Sequence, residues 1–140
     1  MLKMLEIAES NGIDVEYHSF RRPVLGLYTH IPNMPPVIGL DKTLNANYRL
    51  RRCVMAEELG HHFTSAGEQI AKRYYSTFER LTIDKIEYKA LRWAANYLVP
   101  EDDLLDAIKE GLCEGWELAE HFDVTDEFMG FRMRLFGVRE

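Results

Sequence analysis

Glu57, Glu58, His61 and His62, inside "MAEELGHHF" (55–63), are the residues of this chain whose types and spacing could do chemistry. In the pattern H-E-x-x-H, two histidines one helical turn apart hold zinc and the glutamate works on a bound water. Glu58-Leu59-Gly60-His61 supplies the second half of that pattern, and Glu57 stands where the first histidine belongs. On a helix, Glu57 and His61 lie about 40° apart around the axis, with Glu58 about 60° from His61 on the other side. One metal could then meet Glu57 and His61 while Glu58 leans over it. A second register, Glu58 with His62, has the same spacing and stays open. Such pairs on exposed helices merely solvate. Cys53, Val54, Leu59 and Phe63 argue instead for a largely buried helix, where free carboxylates are costly.

A third ligand is available further along. "DKIEYKALRWAANYLVP" (84–100) places Ala90, Leu91, Ala94 and Leu98 on one inward stripe, and Glu87 continues it one turn earlier. A carboxylate on a buried stripe needs a partner. That partner is either a cation or a basic side chain such as Arg51, Arg52 or Arg73.

The elements that must position these residues follow from periodicity. "MLKMLEIAESNG" puts Leu2, Leu5 and Ala8 on one helical face, with Asn11-Gly12 as a stop. "IDVEYHSF" alternates Ile13, Val15 and Tyr17, as in a half-buried strand. Pro23, Pro32, Pro35 and Pro36 leave room for short strands at 24–28 and 36–40. From there the pattern is helical, with helices expected at about 46–65, 66–79, 83–99, 101–110, 116–122 and 125–136. Pro100 suits the first turn of the helix it precedes. The order predicts one α+β domain over 1–140, with the signature helix directly after the last strand and a C-terminal helix pair (about 116–136) packed on it.

Composition narrows the function. At 140 residues, with 46% hydrophobic and 29% charged, the chain reads as one soluble globular domain. A net charge of −6 argues against nucleic acid as main partner. No apolar run approaches a membrane span. The N-terminus has no secretory pattern, and Cys53 and Cys113 form no C-x-x-C, so a cytoplasmic protein is expected.

"CVMAEELGHHFTS" followed by "EYKALRWAANYLVP" resembles the ImmA/IrrE family of metallo-endopeptidases of phages, mobile elements and bacterial stress responses. That family pairs H-E-x-x-H with a downstream E-x-x-A-x-x-(aromatic)-A-x-x-L-x-x-P. Here the second element runs Glu87, Ala90, Trp93, Ala94, Tyr97, Leu98 and Pro100. "PVIGLDKTL" resembles the strand before the family's active-site helix, and "ELAEHFDVTDEFMGFRMRLFG" its C-terminal helix pair. The resemblance implies a zincin-like fold, His61 and Glu87 as metal ligands, and Glu58 as general base. Glu57 falls on the first-histidine ligand, which is the departure from the pattern.

Zinc accepts carboxylate oxygen at nearly the distance it accepts imidazole nitrogen. A Glu57–His61–Glu87 set would therefore hold a metal as a weaker Lewis acid, and would discriminate less against manganese or iron. The expected activity is metal-dependent peptide hydrolysis, with Glu58 moving the proton. The substrate implied by the resemblance is a helix-turn-helix repressor of a phage or mobile element. The alternative is a catalytically inactive protein that binds such a regulator without cleaving it. Tyr74, Tyr75, Tyr88 and His62 are candidate oxyanion donors. An extended substrate would pair with an edge strand, expected at 36–40. The stretch 115–137 has a helix-turn-helix rhythm, but Asp126 and Glu127 open its second helix, where a DNA reader needs basic residues. Trp93 and Trp116 are expected as core anchors.

Overall fold

The computed structural model describes residues 1–65, the backbone of 71–75, and residues 85–136. The chain opens with α1 (Leu2–Ser10), which stops at Asn11 and turns through Gly12 at φ +69°. Met4 and Ala8 are its buried residues, while Leu2 is 72% and Leu5 36% exposed. The inward stripe expected at Leu2, Leu5 and Ala8 is therefore rotated. The i, i+4 pair that packs begins at Met4, whose unbranched side chain reaches the core.

Three strands follow: β1 (Asp14–His18), β2 (Val24–Thr29) and β3 (Val37–Asp41). A fourth, β4 (Ala71–Tyr75), completes a sheet of order β1-β3-β2-β4. β1 and β3 run parallel, and β2 is antiparallel to both of its neighbours. Two expectations fail here. Residues 71–75 are extended and not helical, because the free side of β2 offers a ladder partner and tertiary pairing overrides local preference; the rest of 66–79 lies outside the described residues. The segment 36–40 is not an edge either. β3 is paired on both sides, and the edges among the described residues are β1 and β4.

Asp41 ends β3 and starts the chain toward the signature helix. Its carboxylate accepts hydrogen bonds from the Phe20 N–H (2.8 Å), the Thr43 N–H (3.0 Å) and the Thr43 hydroxyl, capping a 3-10 helix at Lys42–Ala46. Asn47 then caps α2 (Tyr48–Thr64) through the Leu50 N–H. Burial works to raise the Asp41 pKa, but these hydrogen bonds and the Arg22 charge outweigh it and hold the carboxyl below its usual value. A depressed folded-state pKa means that Asp41 stabilises the fold above the unfolded carboxylate value of about 3.9, and that this is lost as pH falls through the folded value. Asp41→Ala should cost about 1 kcal/mol in urea melts at pH 7. The gap to the parent should narrow in melts run near pH 3.

The rest is helical: α3 (Lys85–Leu98), α4 (Glu101–Lys109), α5 (Gly115–Phe122) and α6 (Asp126–Phe136). Pro100 is the N-cap of α4, one place before the first turn. α5 ends at Asp123 in the left-handed conformation (φ 55°), and the Thr125 hydroxyl accepts from the Phe128 N–H to start α6. Phe128, Met129 and Phe131 then bury α6 against α5 and α3. The α+β architecture expected from the sequence is the one observed. No described helix is long and apolar enough to cross a membrane.

Candidate metal centre

α2 is buried without a break from Cys53 to His61. The reason is its position, with the sheet on one side and α3 on the other. A helix enclosed on all sides is normally apolar all round, yet this one carries Glu57 (1% exposed), Glu58 (0%) and His61 (0%) in its centre.

Two glycines bring the neighbouring elements close. A Cβ on Gly60 would collide with the Ala90 carbonyl oxygen and lie 3.0 Å from its carbonyl carbon, so α2 and α3 touch backbone to backbone there. Glu57 and Glu87 each lie three residues before that contact, and the close approach keeps the two helices near enough for side chains from both to meet. On the other side, a Cβ on Gly26 would meet Val54 Cγ1 at 2.7 Å and Glu58 Oε2 at 3.3 Å, so β2 presses its backbone onto the Glu58 carboxylate. The sequence reading missed both glycines. An isolated glycine in a helical pattern costs about 1 kcal/mol against alanine and hints at such packing. Gly60→Ala should push the helices apart and lower stability by about 1–3 kcal/mol, and it should weaken zinc uptake along with it. Denaturation of the metal-free protein and a zinc titration would measure the two effects separately.

The outcome is one cluster. Glu57, His61 and Glu87 each offer a ligand atom, all within 4.8 Å of one another. His61 Nε2 lies 3.7 Å from Glu87 Oε1 and 4.0 Å from Glu58 Oε1. Two ligand atoms on one zinc stand about 3–4 Å apart, so the His61–Glu87 spacing fits a shared cation. A hard-to-borderline dication is also what this donor set suits: two carboxylates and one imidazole. Burial, and secondarily the Glu87 charge, push the Glu58 carboxyl well above its usual range. A cation held among Glu57, His61 and Glu87 would oppose both effects. Neither Glu58 oxygen has a hydrogen-bond partner among the described residues.

Two of the arginines considered as partners for Glu87 are engaged elsewhere. Arg51 donates to Asn45 Oδ1 (3.2 Å), and Arg52 donates to the Asp123 carbonyl (3.0 Å), tying α2 to the end of α5. The Arg73 side chain lies outside the described residues. The Glu58/His62 register is not assembled: His62 turns to the sheet, where its Nδ1 is hydrogen-bonded to the Tyr28 hydroxyl at 2.8 Å. Tyr28 is itself buried, with its phenol pushed up to about 12 by desolvation, and its ring stacks 6.4 Å from His61. Of the four oxyanion candidates, Tyr88 packs edge-on against Phe131, and the side chains of Tyr74 and Tyr75 lie outside the described residues. His62, half-buried beside the cluster, is the described one that remains.

The profile of the IrrE N-terminal-like domain, peptidase family M78, matches residues 8–134. The chain belongs to that family. M78 is a metallopeptidase family, and the match takes in the whole of α2 and α3 with the cluster between them. No individually curated protein matches the chain. In this M78 domain the two helices that the sequence suggested bring Glu57, His61 and Glu87 together, with Glu57 where the H-E-x-x-H pattern has its first histidine. Trp93 behaves as expected, half-buried and stacked between Phe63 (5.1 Å) and Tyr97 (5.2 Å). Trp116 does not: it is 60% exposed.

Proposed function

We propose that this chain is a metal-dependent endopeptidase in which Glu57, His61 and Glu87 hold one divalent cation and Glu58 is the general base. The observation that carries the reading is the convergence of those four buried side chains from two helices, where carboxylates are otherwise expensive. Zinc suits the set best, and manganese or iron would be accepted. When bound, such a cation supplies Lewis acidity toward a water and a peptide carbonyl. The two carboxylates temper that acidity. Glu58 accepts the water's proton and returns it to the leaving amine. In this reading an N–H of His62 donates to the carbonyl oxygen as charge develops there. A substrate in extended form would add to β4, an edge strand among the described residues, which lies next to β2 and against α2.

The substrate class rests on family analogy alone: a helix-turn-helix repressor of a phage or mobile element, reached in the cytoplasm. Purified protein loaded with zinc should cleave such a repressor at one or a few bonds. A chelator should stop cleavage, and added metal should restore it. A repressor bound tightly but left intact under every metal would instead favour the inactive binding protein.

A further inference from the structure

Trp116 is the largest aromatic side chain on the described surface to stand mostly in solvent, and it stands beside a cavity. Trp116, Leu112, Glu117, Glu120 and His121 line a depression of about 260 Å³ on α5. Trp116 and Glu120 are one helical turn apart, so ring and carboxylate share a face. Glu117 is held in place, its Oε1 accepting from the Glu114 N–H at 3.2 Å in a capping box.

The charge around it is one-sided. From Glu101 to Glu127 the sequence carries eleven carboxylates against one lysine, Lys109, and one histidine, His121, whereas the remainder of the chain is net positive. The acidic side chains of α4 and α5 are exposed or half-exposed. Like charges crowded onto one surface repel one another, and such blocks often serve in interactions. A field of one sign selects a partner of the other. An exposed indole flanked by carboxylates is in turn the chemistry that receives a guanidinium or ammonium, flat on the ring and paired at its edge.

We propose that the Trp116 depression docks a basic protein segment, taking one arginine or lysine side chain onto the indole between Glu117 and Glu120. The surface is separate from the Glu57–His61–Glu87 cluster and works whether or not that cluster is catalytic. The acidic surround draws the segment in, and Trp116 fixes where it sits.

A fluorescently labelled oligoarginine, titrated into the full chain at low salt, is the probe. Trp116→Ala and Glu120→Gln should each weaken binding by about tenfold, while Asp102→Asn with Asp106→Asn should change it little. Trp116→Phe should keep most of the affinity, since a phenyl ring still receives a cation. Both site residues are exposed, so circular dichroism of the variants should match the parent. Equal weakening by the α4 pair would mean a diffuse acidic field and would overturn the proposal. So would failure of the peptide to bind. Concentration-dependent self-association that Trp116→Ala abolishes would also overturn it, by giving the depression to a second copy of the chain.

Discussion

Glu58→Gln is expected to lower repressor cleavage by about 100- to 10,000-fold, the usual cost of losing a general base. Metal content and fold should stay near parental. Glutamine keeps the shape that β2 presses upon at Gly26, so the pocket is not emptied. What it loses is the ability to accept a proton from water. Repressor binding should survive, and in a cell the variant should fail to induce the element the repressor silences. A protein that acts by binding alone moves no proton, and its Glu58→Gln variant would induce like the parent at equal expression.

The second large effect concerns the ligands. Glu87→Ala and His61→Ala should each weaken zinc binding by at least about 100-fold, above the 10- to 100-fold loss typical of residues that only support a ligand. Glu57→His should act in the opposite direction, tightening zinc by about tenfold or more while activity is kept or raised. Imidazole removes one of the two negative charges that damp the cation's acidity. Isothermal titration with zinc reads all three. Unchanged affinity in Glu57→His would take Glu57 out of the ligand set.

The residues of the cluster were legible because α3 carries a strong periodic stripe and α2 carries the Glu57, Glu58 and His61 spacing. The α3 stripe from Glu87 through Ala90, Leu91, Ala94 and Leu98 is buried as the spacing implies, with Ala95 added to it. The Glu57–His61 spacing fixes one face of α2 whatever surrounds it. What the sequence could not show is how deep that face lies. Nine consecutive buried residues on α2, among them Glu57, Glu58 and His61, arise from the sheet and α3 closing on it, and periodicity within α2 carries no trace of either.

The sheet was the least legible part. Strand order depends on pairing between distant segments, so 36–40 could be recognised as a strand but not placed between β1 and β2. Ala71–Tyr75 is likewise extended because β2 has a free edge, and nothing in "AKRYY" alone announces that partner. Gly60 carried no stated role in the sequence, and it is where α2 and α3 touch backbone to backbone. Trp116 went the other way: an aromatic residue is usually buried, and here the short α5 turns it outward among carboxylates.

The most direct test of the central claim is the metal content of protein purified without chelator, measured by inductively coupled plasma mass spectrometry beside His61→Ala. About one divalent transition metal per chain is expected in the parent, and almost none in the variant. A parent that is fully folded, carries no metal and takes up none on dialysis against zinc, manganese or iron would contradict the account.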